Sequence, residues 1–563
     1  MDSDSCFGRI LDWTRGGFMS IAPRGNEWTA TRRYLDETLV LQTTFTTNEG
    51  SLRVYDFFAM RPGGRELPHR QLLRIIEGIK GEVAVQVEIS PRFDFGELRP
   101  WIRRAGSNAF AAVGSDDGLY IWANVALERS GPHDIRGDFS ISGGQRLHVS
   151  MQFAQPAALD KESTDLPDPG ECDKRLEQTI DWWRTWSTKV NIHGGLRPSV
   201  VRSAITLKAM TYAPTGAIIA APTTSLPEAP GGERNWDYRF TWIRDAVFTV
   251  RSLAQVGCTA EADGFRRFVE RSAAGSAEDL QILYRLDGSR RTHEIVLETL
   301  EGYRGAAPVR VGNAAADQTQ LDVYGELLEF AWRWHERGHS PDDDYWDFLV
   351  ELVDVAASRW RDPDRGIWEV RGKPQHFVHS KVMCWTTFDR GILFARATGR
   401  NVPVDRWKKE RDEIRKAIES DGYESDRGIF LRAFGSREVD AALLLLPRVG
   451  FIDYDDERMM RTTDAVRADL EEDGLIARYR THDGLTGVEG TFLACTFFLA
   501  TCLARQGRVE AAREVFQRAA GTANDIGLFA EEHHVKTNEM AGNFPQALTH
   551  LAYIDALLAL EGQ

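Results

Sequence analysis

The sequence predicts an N-terminal antiparallel β-sandwich followed by an (α/α)6 toroid, a closed ring of six helical hairpins. Three observations carry that expectation. Apolar side chains alternate with polar ones between turn signals over the first 155 residues. A stretch rich in Pro, Asp and Ser, PAALDKESTDLPDPGE (156–171), breaks the pattern. Beyond it, about twelve helix-length periodicities are joined by connections that alternate between short and long. A chain of 563 residues has room for two or three domains. The expected boundaries are 1–155 for the sandwich, 156–195 for a linker with a helix, and 196–563 for the toroid.

The strands are justified by their turns. LVLQTTFTT and SLRVYDFF flank Asn48-Glu49-Gly50, and Val83, Val85, Val87 and Ile89 alternate as one face of a half-buried strand. AFAAV and LYIWANVAL flank Ser115-Asp116-Asp117-Gly118, and DFSIS and RLHVSMQF flank Gly143-Gly144. Each pair reads as a hairpin, and a Trp-rich helix is expected at about 172–188. The later helices are expected near 198–213, 242–256, 260–274, 316–337, 343–361, 379–398, 403–420, 436–446, 455–472, 489–506, 508–523 and 545–561. Connections after even-numbered helices are mostly short, such as GCTA and GHSPD. Those after odd-numbered helices are mostly long and rich in Trp, Gly and charge, so one end of the ring is expected to build a site.

Composition removes several classes of function. The 84 acidic and 69 basic residues leave a net charge of −15, which repels phosphate backbones and anionic lipid, so neither nucleic acid nor a membrane is an expected partner. Six cysteines, at 6, 172, 258, 384, 495 and 502, are scattered without a CxxC pair, as free thiols of a reducing compartment would be. No export signal or 18-residue apolar run is visible, so the expected location is cytoplasmic. HExxH, GxSxG, GxxxxGK[ST] and GxGxxG are all missing; His376 and His379 lack acidic or thiol company, and His533-His534 adjoin Glu532 but neighbouring histidines point apart in most backbones. The expectation is no metal and no cofactor.

The long loops hold the candidate chemistry. Glu369 follows Trp368, whose aromatic wall is expected to raise its pKa and keep it protonated as an acid. Glu531, beside Glu532 in a distant loop, is expected to stay ionised. Two carboxyls about 6.5–9.5 Å apart suit an inverting glycosidase, which must fit a water between base and sugar. Arg244-Asp245 offers charge-assisted hydrogen bonds to sugar hydroxyls, and Trp236, Trp242 and Trp368 offer faces for a pyranose. Each of these residues also has an ordinary structural reading, as a solvated carboxylate, a core indole or a helix-start ion pair.

The blocks RNWDYRFTWIRDA, GNAAADQTQLDVYGE (312–326), GIWEVRG…HSKVMCW (366–385), EGTFLACTFFLA (489–500) and GLFAEE…GNFPQALTHLAYI together resemble glycoside hydrolase family 15, in its bacterial trehalase or glucoamylase-like branch. The resemblance spans nearly the whole chain, although that branch usually carries further residues ahead of DSDSCFGRIL and a different continuation after the paired glutamates of AEEHH. It implies Glu369 as general acid and Glu531 as general base. It also implies a grip on the terminal glucose by Arg244 and Asp245, with Asp237, Tyr238, Trp242, Trp368 and Arg478 as further substrate-binding residues. The implied activity is exo-acting, inverting hydrolysis of a small neutral α-glucoside. Trehalose is the first substrate, and malto- or isomalto-oligosaccharides are the alternative. A disaccharide phosphorylase and an inactive sugar-binding protein are the remaining readings, and a homo-oligomer is left open.

Overall fold

The computed structural model describes residues 1–64, 70–159, 168–273, 276–481 and 489–562. Part of the expected linker (160–167), the last position of the helix expected at 260–274, and half of the loop expected at 477–490 (482–488) lie outside them.

Eleven strands form the first domain: β1 (Phe18–Pro23), β2 (Trp28–Tyr34), β3 (Leu41–Thr47), β4 (Gly50–Phe58), β5 (Gln71–Ser90), β6 (Trp101–Gly106), β7 (Ala109–Gly114), β8 (Asp117–Ala123), β9 (Glu128–Arg129), β10 (Ile135–Ser142) and β11 (Arg146–Ala154). The 20-residue β5 belongs to both sheets. Its first part pairs with β4 and β11, continuing the order β2-β3-β4-β5-β11-β8-β7-β6. Its second part pairs with β1 and β10. Val83, Val85, Val87 and Ile89 point inward against Leu52, Ile76, Phe110 and Ile121, as their alternation predicts.

The β3–β4 and β7–β8 hairpins form as expected. The third expected hairpin does not. DFSIS and RLHVSMQF lie end to end along β5, Ile135–Ser142 opposite Ile89–Glu82 and Arg146–Gln152 opposite Glu77–Gln71. Gly143-Gly144 therefore carries the chain from one sheet to the other. Helix α1 (Pro169–Ser187) starts three residues before its expected position, because Asp168 caps it and Pro169 occupies its first turn. Its Cys172 and Leu176 cover the outer face of the larger sheet beside Tyr55, Leu73, Ile75 and Trp122.

The second domain is the predicted ring. Outer helices are α2 (Arg197–Ala209), α4 (Ala260–Ala273), α6 (Asp343–Arg359), α8 (Val404–Asp421), α9 (Glu457–Leu470) and α11 (Val509–Ala520). The inner ring is α3 (Ile243–Gln255), α5 (Asp322–Glu336), α7 (Val378–Thr398), the 3-10 segment Ala441–Val449, α10 (Leu493–Arg505) and α12 (Ala547–Leu560). Each inner element packs on the next, and α12 closes on α3. Four boundaries move by four residues or more. The helix expected at 198–213 ends at Ala209, before the strand Thr211–Tyr212, and the one expected at 489–506 begins at Leu493, after the strand Thr491–Phe492. The helix expected at 316–337 begins at Asp322, after a separate 3-10 turn at Ala314–Asp317. The helix expected at 436–446 is the 3-10 segment, capped by Asp440 and containing Pro447, which denies it a continuous i→i−4 ladder. No helix among the described residues is long and apolar enough to cross a membrane. All six cysteines are free, five of them buried.

The inner ring is tight where α5 meets α7. A Cβ at Gly325 would lie 2.2 Å from the Met383 carbonyl oxygen, against backbone that cannot swing aside. Overpacking of this kind costs about 1–3 kcal/mol. Gly325→Ala is therefore expected to lower the melting temperature in thermal unfolding, and an unchanged value would show that the two helices separate freely.

Candidate active site

Four long loops meet at the N-terminal ends of the inner helices, around a cavity of about 390 Å³. Tyr238, Trp242, Arg244 and Asp245 enter from the α2–α3 connection, and Ile367, Trp368 and Glu369 from the α6–α7 connection. Arg478 and Phe492 come from before α10, and Glu531 and Gln546 from before α12. A hydrogen bond joins positions 293 apart: the Tyr238 hydroxyl donates to Glu531 Oε1 at 2.7 Å. The convergence expected from hairpin parity is thus present.

Each side chain is held from behind. Thr241–Trp242 pairs with Leu283–Tyr284, which sets the start of α3 and turns Arg244 and Asp245 toward the cavity. Asp245 sits in the first helical turn, where the backbone N–H groups favour a carboxylate. Arg244 donates to Asp245 Oδ2 at 2.9 Å and to the Ile367 carbonyl at 2.7 Å, and reaches Glu369 Oε1 at 3.4 Å. The Trp242 indole N–H donates to the same Glu369 oxygen at 2.7 Å. Glu369 itself has φ +56°, a left-handed conformation that is rare for a β-carbon residue and is concentrated at functional sites. The Asp364–Gln375 bridge closes this loop at its base. Trp368 leans the other way, its indole N–H on Asp440 Oδ2 at 3.1 Å.

Glu531 and Glu532 ride on a three-stranded sheet formed by Thr491–Phe492, Glu532–His534 and Glu539–Ala541. Glu531 Oε2 accepts from the Asn543 N–H at 3.2 Å. Gly542 has φ +73°, and a Cβ there would lie 2.5 Å from that same Oε2, so only glycine leaves the carboxylate its place.

The residues do not all land where the sequence pointed. Asp237 is fully buried and stays out of the cavity. Its carboxylate is taken up by the Arg239 guanidinium, at 2.9 and 2.7 Å, and by the Gly312 N–H at 3.1 Å. It braces the loop from outside the cavity lining. Arg478 lines the cavity but is bound by three carboxylates: Glu228 at 2.8 Å, Glu489 at 2.9 Å and Glu532 at 3.2 Å. Those three converge closely enough to suggest a cation, yet the guanidinium already stands among them. Glu228 and Glu489 carried no sequence signal of their own. Glu228 falls in a Pro- and Ser-rich turn, and Glu489 opens a block read as a helix.

The two candidate carboxyls share one electrostatic feature. Burial pushes Glu369 up, Asp245 adds to it, and Arg244 opposes it. Burial also pushes Glu531 up, to about 8, with the charge of Glu228 second and with Arg478, Tyr238 and the Asn543 N–H pulling back. The expectation that Glu531 simply stays ionised is corrected: both carboxyls are raised, because both are enclosed. His379, beneath the cavity, is pushed down to about 3 by burial and by Arg244 and Arg448, so it is neutral.

A second compartment of about 420 Å³ adjoins the first, lined by Trp236, Asn313 and Arg371 among others. Tyr238, Trp368, Glu369 and Arg478 border both compartments, whereas Arg244, Asp245 and Glu531 border only the inner one.

Enclosed carboxyls, an arginine–aspartate pair and indole faces, gathered at one mouth of a helical toroid, define a glycoside hydrolase. Sequence comparison narrows the class. The profile of glycosyl hydrolases family 15 matches residues 196–558, and a trehalase-like N-terminal profile matches residues 1–125. The chain is 37% identical to the trehalase of Mycobacterium tuberculosis, over 99% of this chain and 85% of that protein. It is 34% identical to the trehalase of Thermoplasma volcanium, over 100% and 89% respectively. A crystal structure of a bacterial glucoamylase complexed with acarbose shares the fold at a TM-score of 0.72 and 13% identity, covering 99% of this chain and 88% of that one. The chain belongs to glycosyl hydrolases family 15.

Proposed function

We propose that the chain hydrolyses α,α-trehalose with inversion, Glu369 acting as general acid and Glu531 as general base. The observation that carries this is the partition of the cavity. Glu369 stands on the border of two compartments, and Glu531 faces only the inner one. A disaccharide with one ring in each compartment has its glycosidic oxygen at Glu369, and the inner ring turns its opposite face to Glu531. Arg244 and Asp245 hold the hydroxyls of the inner glucose, with Trp242, Tyr238, Trp368 and Arg478 forming the rest of its wall. Glu369 Oε1 accepts from Trp242 and Arg244, so the transferable proton sits on Oε2. As the bond breaks, that proton passes to the leaving glucose, and a water deprotonated by Glu531 attacks the oxocarbenium-like carbon from the other side. Identity to proteins named trehalase supports trehalose over the malto- and isomalto-linked alternative. Six free thiols support a reducing, cytoplasmic setting.

Proton NMR of a fresh trehalose digest separates the possibilities. Inversion releases one β-glucose and one α-glucose from each trehalose, so the β anomer appears at once in half of the product. Initial release of α-glucose alone would overturn both carboxylate roles. Trehalose turnover far above that of maltose and isomaltose is the expected order of substrates.

The pH profile tests the base. An ionised Glu531 is required, so kcat/KM rises as pH climbs through its free-enzyme pKa. Glu228 raises that pKa. Glu228→Gln removes the like charge and leaves Arg478 less neutralised, and both changes favour an ionised Glu531. The acid limb of kcat/KM is therefore expected to move to lower pH. A limb that stays in place would show that Glu228 does not act on the base.

A further inference from the structure

A cavity of about 480 Å³ lies at the opposite mouth of the ring, where the inner helices end. Arg251 comes from the last turns of α3, Arg448 from the 3-10 segment, Arg505 and Thr501 from α10, and Asp555 from α12. Arg251 and Arg448 thus share this cavity with Asp555. Helix C-termini favour arginine by themselves, but Arg448 is not used in that way. The carbonyl that ends its own segment, Val449 O, accepts from Arg390.

The Arg448 side chain is only 9% exposed. Its guanidinium carbon stacks 3.6 Å from the Phe248 ring centre. Its Nε and Nη2 are buried without a hydrogen-bond partner among the described residues, and the nearest carboxylate oxygen, on Asp555, is 3.9 Å away. An enclosed guanidinium with unmet donors is costly unless something completes it.

Nearby acids do not supply the missing charge. Glu329 stays ionised, engaged by Arg390 at 2.5 Å and Arg333 at 2.7 Å, and its charge also answers Arg251, which leaves Arg448 as the guanidinium with unmet donors. Glu326 is pushed up to about 8 by burial, so it is mostly neutral at pH 7. Tyr454, also in the wall, is pushed up to about 12 and keeps its hydroxyl proton as a donor. Leu444, Leu445 and Phe498 form the remaining, apolar side. The guanidinium fork matches the two oxygens of a carboxylate or a phosphate group.

We propose that this cavity binds a small oxyanion, a carboxylate or phosphate group, at a place separate from the site of hydrolysis. Arg448 and Arg251 supply the charge and Tyr454 a neutral donor. The proposal does not depend on trehalose being the substrate.

Calorimetric titration of the full chain tests it, using sodium phosphate, sodium sulfate and sodium malonate, with sodium chloride at matched ionic strength as the control. One of the oxyanions is expected to bind one per chain, with a Kd of about 0.1–1 mM. Arg448→Gln and Arg251→Gln are each expected to weaken binding about tenfold or more, while kcat/KM measured without the anion stays within about twofold. Should Arg448→Gln not fold, Thr501→Glu sets a competing carboxylate in the cavity and is expected to abolish the binding. Phosphate and sulfate binding without malonate assigns a phosphate-type ligand, and the reverse assigns an organic carboxylate. The proposal is overturned if no oxyanion binds at about 10 mM, or if binding survives both Arg251→Gln and Thr501→Glu.

Discussion

Replacing Glu531 with Gln is expected to lower kcat for trehalose about 10³-fold while changing KM little, since general base catalysis contributes about 10²–10⁴-fold. Gln is nearly isosteric: its carbonyl oxygen can accept from the Asn543 N–H, while its amide NH2 donates to the Tyr238 hydroxyl, which turns to accept, in place of the two bonds that hold the native carboxylate. The cavity therefore keeps its shape and loses only the group that takes a proton from water. The acid limb of the pH profile should vanish along with the activity. Phosphate provides a sharp control. An enzyme that used phosphate as nucleophile would need no base, so full turnover by Glu531→Gln in phosphate would mark a phosphorylase. Residual hydrolysis within tenfold of the parent would move the role of base to another group, and Glu532 is the first to examine. That carboxyl is already held by Arg478 at 3.2 Å and by the Gly490 N–H at 2.9 Å, which argues against it.

How much of this was readable beforehand depends on where each interaction partner lies in the chain. The toroid was legible because each helix announces itself through local periodicity, and the parity of long and short loops then places Tyr238, Glu369, Arg478 and Glu531 at one mouth. The third hairpin was misread because Gly143-Gly144 has suitable turn chemistry, whereas the deciding partner is a 20-residue strand long enough to take both segments in series. Propensity likewise suggested an α-helix around Leu443–Leu446, but Pro447 and the Asp440 cap tighten it into a 3-10 segment.

At the site, the residues with distinctive neighbours, Trp368-Glu369 and Arg244-Asp245, were legible as candidates, and all four line the cavity. Those defined by a partner hundreds of positions away were not. Glu228 matters because Arg478 and Glu531 are beside it, and nothing local in a Pro-rich turn records that. The placement of Asp237 outside the cavity lining was unreadable for a similar reason: its partners are Arg239, two residues on, and the N–H of the distant Gly312. Protonation state was the least readable property of all, since burial and distant charge set it together.

The second large effect separates acid from base. Glu369→Gln is expected to lower kcat for trehalose by about 10³-fold, because a glucose leaving group needs a proton as the bond breaks. The same variant is expected to hydrolyse α-glucosyl fluoride within about tenfold of the parent, since fluoride departs without help and Glu531 still activates water. Glu531→Gln should show the opposite pattern and be slow on both substrates. The contrast removes a common ambiguity. Glu369 also touches Arg244 and Trp242, so a disturbed sugar-binding wall is the competing explanation of its loss. Such a disturbance would slow the fluoride as much as trehalose, because the same glucose ring occupies the inner compartment in both. Equal loss on the two substrates would thus assign Glu369 to binding, while selective loss on trehalose assigns the proton to it. The alkaline limb gives a second reading of the same group. Burial and Asp245 raise the pKa of Glu369, so the acid form persists above the ordinary carboxylate range and kcat/KM falls only once pH passes that raised value. In the Gln variant assayed on the fluoride, that limb is expected to disappear and the acid limb of Glu531 to remain.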